Sequence, residues 1–168
     1  DGSCEYTFRA DSYSGDDAMF ENTSGSISVW IPVNNRLYLN GVLNDSVFVS
    51  FGRYVQGIGE PSADDLLANL DPLYLDAQDE LISFAPNELY FELPVEITVP
   101  FGAPLARADG QAVNMVLIGL DNPFDTTWSL VQGSSCSGGS CTGMVNSFGI
   151  YTAVNQLADC DDVVGGTA

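Results

Sequence analysis

The amino-acid sequence predicts an all-β fold, an antiparallel β-sandwich with one short helix and disulfide staples. Three observations carry this. The segment FELPVEITVPF (91–101) alternates without a fault, with Phe91, Leu93, Val95, Ile97, Val99 and Phe101 on one side and Glu92, Pro94, Glu96, Thr98 and Pro100 on the other. That period of two belongs to a strand buried on one face and wet on the other. Seven to nine short segments of this kind, separated by turn residues, run along the chain, as in a sandwich. Four cysteines at 4, 136, 141 and 160, with no histidine, fit disulfides better than a zinc site.

The elements follow in order. CEYTFRA (4–10) alternates weakly and reads as a first strand, and DSYSGDDAMFENTSG (11–25) as a polar loop. SISVWIPV (26–33) reads as a strand with Ile27, Val29, Ile31 and Val33 on one face and Trp30 on the other. The Asn34-Asn35 pair suggests a hairpin turn into RLYLNGVL (36–43). SVFVSFGRYV (46–55) is a further strand, with Gly52 as a bulge point. PSADDLLANL (61–70) is the one helix signal. Ser62 caps it, Asp65 stands three residues on, and Leu66, Leu67 and Leu70 form its apolar face.

After that, residues 80–101 give a short strand, a turn at APN and the long alternating strand, whose prolines lack the N–H a ladder needs and so suggest an edge strand or one whose pairing is interrupted. GAPLARADGQ (102–111) is a loop. AVNMVLIGL (112–120) is nearly all apolar and reads as a central strand covered on both faces. TTWSLV (126–131) is a strand, QGSSCSGGSCTG (132–143) a stapled loop and VNSFGIYTAV (145–154) the last strand. Residues 1–160 form one sandwich domain and 161–168 a flexible tail. The opening DGSC lacks a Met and reads as that of a processed product or a fragment.

Cys136 and Cys141 are close enough in sequence to pair locally, and Cys4 with Cys160 would tie the two ends together. On loop entropy the long bridge contributes about 5 kcal/mol and the short one about 2 kcal/mol. Both place the chain outside the reducing cytosol, secreted or at the cell surface. The sequons at Asn22 and Asn44 permit glycosylation there.

Charge excludes several partners. The chain holds 23 acids against four arginines, with a net charge of −19, which opposes phosphate backbones and anionic bilayers. No apolar run is long enough for membrane insertion. With no histidine and no lysine, the usual general bases are missing and an enzyme is not expected. No cofactor is required. Calcium is the chemical alternative, because hard cations take several oxygens from acidic loops. Asp121, Asn122 and Asp125 form one candidate set and Asp16, Asp17 and Glu21 another. Neither matches an EF-hand loop or an RTX repeat, and solvated turn residues are the simpler reading of both. Trp30, Trp128, Phe91 and Tyr151 are assigned to the core rather than to a ligand platform.

The second half carries further features in series. LYFELPVEITVPF is followed by a loop with Asp109-Gly110, the apolar VNMVLIGLD, then TTWSLV and the aromatic NSFGIYTAV. This order, over about 26–154, resembles ZU5-like β-sandwich modules of secreted surface and adhesive proteins. Some relatives of such modules cleave themselves at a His-Phe-Ser triplet. The matching positions here are Ser147, Phe148 and Gly149, which lack both the base and the nucleophile, so self-cleavage is not expected. The resemblance implies a non-enzymatic extracellular structural protein, a self-assembling filament or surface-layer subunit or an adhesion module. The alternative is a secreted module that binds carbohydrate or another cell-surface ligand, which exposed aromatics beside acids would favour. For self-assembly the N-terminal strand is the expected exchanged element, with Tyr6 and Phe8 inserting into a neighbouring copy.

Overall fold

In the computed structural model the described residues are 6–70, 74–76, 81–100, 114–137 and 139–156. Cys4, Cys160, the loop 102–111 and the tail 161–168 lie outside them. The described residues form β1 (Tyr6–Asp11), β2 (Ala18–Glu21), β3 (Ser28–Ile31), β4 (Leu37–Leu39), β5 (Val42–Asn44), β6 (Ser46–Arg53), α1 (Ala63–Leu67), β7 (Tyr74–Asp76), β8 (Ile82–Ala85), β9 (Leu89–Pro100), β10 (Asn114–Leu120), β11 (Ser129–Leu130), β12 (Ser135–Ser137), β13 (Ser140–Ser147) and β14 (Ile150–Gln156). The strands pair antiparallel in two seven-stranded sheets. The first runs β1-β6-β8-β14-β10-β11, with β7 on β14. The second runs β12-β13-β9-β3-β2, with β4 on β9 and β5 on β4.

The two sheets close over one core. Val47, Val49, Phe51, Phe84, Leu117 and Ala153 from the first face Val29, Ile31, Leu37, Phe91, Ile97 and Val99 from the second. A line of rings crosses it. Phe8 lies 4.9 Å from Phe20 and 5.6 Å from Phe51 between centroids, Phe51 5.9 Å from Phe84, and Phe148 5.6 Å from Phe84 and 5.0 Å from Phe91. Such pairs contribute beyond the area they bury. Tyr6 and Phe8, named above for exchange, pack here against the chain's own core.

A second, smaller core lies on the outer side of the first sheet. Val116, Ile118, Leu120, Ile150 and Val154 meet Leu66, Trp128 and Tyr54 there. The Trp128 indole N–H donates to the Leu66 carbonyl at 2.9 Å, and the Tyr54 hydroxyl donates to the Pro61 carbonyl at 2.7 Å. Strand β10 is therefore apolar on both faces because both are covered, as its composition predicts. The helix forms where expected. The Ser62 side chain accepts from the Asp65 N–H, and the Asp65 side chain accepts from the Ser62 N–H, two otherwise orphaned donors satisfied reciprocally.

Several expectations are corrected. Of the two arrangements the prolines of β9 allow, the interrupted pairing occurs and the edge position does not, because β13 bonds one flank and β3 and β4 share the other. Its prolines are accommodated locally: Pro100 ends the strand, and Pro94 sits in an interruption between the β4 and β3 pairings. The register against β13 slips at the same place, where Val145 opposes Val95 and Ser147 opposes Tyr90. Leu93 leaves the apolar face there and is exposed. No bulge occurs at Gly52, which stays in register with Ser83. The Asn34-Asn35 hairpin does not form either. Segment 36–43 folds back on itself at Asn40-Gly41 instead, both at positive φ (52° and 80°), the conformation of tight hairpin turns. The polar loop 11–25 contains β2, whose Ala18 and Phe20 pack inward while Met19 and Glu21 face solvent. The stapled loop is the β12–β13 hairpin, in which Cys136 and Cys141 are cross-strand partners and bonded. The last expected strand divides at Phe148-Gly149 into β13 and β14, and the strand expected at 126–131 is only the two residues of β11. No helix among the described residues is long and apolar enough to cross a membrane.

Candidate ligand-binding face

The outer face of the second sheet is built by the same alternation that fills the core. Where Val29, Ile31, Leu37, Leu89, Phe91 and Val145 turn inward, Trp30, Tyr38, Tyr90 and Met144 must turn outward. Cross-strand register then aligns them. Met19 lies opposite Trp30, Trp30 opposite Glu96, and Glu96 opposite Met144, one row across four strands. Met19 and Met144 remain 55% and 46% exposed and Trp30 is half-buried. The adjacent row is hydroxylic. Glu21, Ser28, Thr98, Thr142 and Ser135 oppose one another in turn, and the hydroxyls of Thr98 and Thr142 lie 3.2 Å apart.

Further along β9, Tyr90 stands opposite Tyr38, with ring centroids 6.4 Å apart. Arg36 lies beside them. Its Nη1 donates to Glu92 Oε1 at 3.2 Å, and its guanidinium carbon is 5.3 Å from the centre of the Tyr13 ring. Glu92 foremost, then Tyr13 and Tyr38, hold this guanidinium above its ordinary pKa. The face therefore carries aromatic rings, thioethers, hydroxyls, two carboxylates on β9 and one arginine already matched to a carboxylate.

The acidic candidates lie elsewhere. Asn122 Oδ1 accepts from the Phe124 N–H at 2.8 Å and Asp125 Oδ1 from the Thr126 N–H at 3.0 Å, so both side chains close their own turn. Asp121 acts on Tyr151, whose pKa is raised by burial first and by this carboxylate second. Asp125 lines a cleft of about 460 Å³ with Glu60 and Asp65 over Leu66 and Phe124, and Asp121 is not in that lining. In the other set, Asp17 Oδ1 accepts from the Val33 N–H at 2.8 Å, Asp16 is exposed in the preceding turn and Glu21 lies on β2. Among the described residues no three Asp, Glu, His or Cys side chains gather as a metal site. Asn22 uses its side chain to close the loop to Ser26 and Ile27, and Asn44 donates to the Val42 carbonyl. Ser147, Phe148 and Gly149 join β13 to β14, with the Phe148 ring in the core.

Sequence reasoning placed Trp30 in the core and passed over Tyr38, Tyr90, Met19 and Met144. Trp128, Phe91 and Tyr151 are buried as expected, whereas Trp30 lies on the outer face. Strict alternation around Trp30 and Tyr90 was the available signal, but which strands lie side by side was not in it. No family model matches the chain, and no curated protein is significantly similar to it.

Proposed function

We propose that this chain is a non-enzymatic extracellular adhesion module that holds a surface ligand on the outer face of its second sheet. One observation carries the reading: one outward face of the second sheet presents Tyr90 beside Tyr38 and Glu92 at one end of β9 and Trp30 opposite Glu96 further along it, with Tyr90 exposed and Trp30 and Tyr38 half-buried. Aromatic rings that keep one side in water beside polar groups are frequent at interaction surfaces. The Cys136–Cys141 bridge supports an oxidising compartment. The absence of histidine and lysine from the sequence supports binding rather than catalysis. The resemblance of the sequence over about 26–154 to ZU5-like modules favours the same extracellular setting. The test is retention of the chain on immobilised neutral glycans, acidic glycans and proteins. Retention that falls in Tyr90→Ala and Trp30→Ala supports this face, and retention indifferent to both variants overturns it.

A second reading, self-assembly, rests on β1. Among the described strands β1 pairs with β6 alone, and an open edge can accept a strand from another copy. Salt that screens the −19 charge promotes association on this reading. A chain that stays monomeric by light scattering from low to high salt overturns it.

A further inference from the structure

We infer that the ligand of this face is an uncharged polysaccharide, bound as an extended chain along β9 from Tyr90 to Trp30. The inference rests on the adhesion reading and adds the ligand's chemistry to it. Charge removes one class of polymer. The chain carries −19, and the arginine on this face, Arg36, is already paired with Glu92 at 3.2 Å. Among the described residues no cation on the face is left over for a uronate or a sulfate, so an acidic glycan would meet mostly like charge there.

The side chains fit what remains. Pyranose rings present flat C–H faces and a rim of hydroxyls. The exposed Tyr90 ring, with the half-buried Tyr38 tilted 53° to it and the half-buried Trp30, supplies apolar contact for the former. Glu92 and Glu96 accept from hydroxyls, and Thr98 and Thr142 both donate and accept. Shape sets the ligand's size. Small molecules are held in concave sites that bury most of their surface, whereas this site is an open sheet face. Trp30 lies opposite Glu96, six positions along β9 from Tyr90, roughly 20 Å at strand rise. Only an oligomer touches both ends.

Affinity electrophoresis tests this with three probes: hydroxyethyl cellulose for a neutral polymer, alginate for a polyanion and polylysine for a polycation. The neutral polymer is expected to retard the chain and alginate is not. Tyr90→Ala and Trp30→Ala are each expected to weaken retardation at least tenfold with an unchanged fold by circular dichroism. Phe48→Ala, which removes a 70% exposed ring on the other sheet, leaves it unchanged. Cello-oligosaccharides compete and glucose does not. Retardation by polylysine or alginate alone, lost in the Tyr90 and Trp30 variants, overturns the neutral glycan and leaves the adhesive face standing. Retardation equally lost in Phe48→Ala, or none with any probe, overturns both.

Discussion

The side-chain amide of Asn35 forms a two-way hydrogen bond with the backbone of Leu93. Its Nδ2 donates to the Leu93 carbonyl at 2.8 Å and its Oδ1 accepts from the Leu93 N–H at 2.8 Å. Asn35 is 1% exposed, and the same Oδ1 accepts from the Arg36 N–H at 2.9 Å. The amide thus stands in for a strand residue where β9 leaves its ladder. Asn146 serves the other flank by donating to the Phe91 carbonyl at 3.0 Å. Together they let a central strand carry Pro94 without leaving its neighbours' backbone groups unsatisfied.

Replacing Asn35 with Leu should therefore be costly. It leaves the part-buried Leu93 N–H and C=O without their amide partner, and an unsatisfied group costs about 1–3 kcal/mol when fully buried and less where water reaches it. The expected loss is about 1–3 kcal/mol by urea denaturation. A loss near zero would show that water replaces the amide.

Gly149 is held by close approach. A Cβ there would fall on the Leu120 carbonyl oxygen and lie 3.1 Å from its carbon, both backbone atoms. Gly149→Ala should cost about 1–3 kcal/mol through forced backbone movement. Gly15→Ala, where a Cβ meets nothing within 4 Å, should leave the melting temperature nearly unchanged.

Tyr151 makes stability sensitive to alkali. Its ring is buried and its hydroxyl donates to the Ser147 carbonyl at 2.8 Å. Burial first, and then Asp121, raise its pKa above the ordinary value of 10.0. A raised pKa means the folded state keeps a proton that the unfolded chain releases. The contribution is complete below pH 10.0 and is lost as pH climbs above it. Urea midpoints measured upward from pH 9 should fall, and should fall less steeply in Tyr151→Phe once each is referenced to its value at pH 7.

The Cys136–Cys141 bridge closes a short loop, and replacing both cysteines with Ser should lower stability by about 2 kcal/mol. Thiol titration of the denatured, unreduced chain should find no free cysteine if Cys4 pairs with Cys160. Two free thiols would leave Cys136–Cys141 as the sole bridge.

What the sequence determined by itself were local periods and local chemistry. The alternation in 95–100, the apolar run 114–120, the Ser62–Asp65 cap and the Cys136–Cys141 pairing each depend on residues within a few positions of one another, so each was legible. Strand order was decided only by the tertiary structure. Pro94 in a strand leaves an edge and an interrupted pairing both open until Asn35, 58 positions before Leu93 in sequence, hydrogen-bonds the Leu93 backbone beside it. Trp30 looks like core until β3 lies between β2 and β9, with its other face already filled by Val29 and Ile31. A period of two says which residues share a face. Only packing says which face is covered, because covering depends on contacts between segments far apart in the chain, and those contacts also align Met19, Trp30, Glu96 and Met144 in one row.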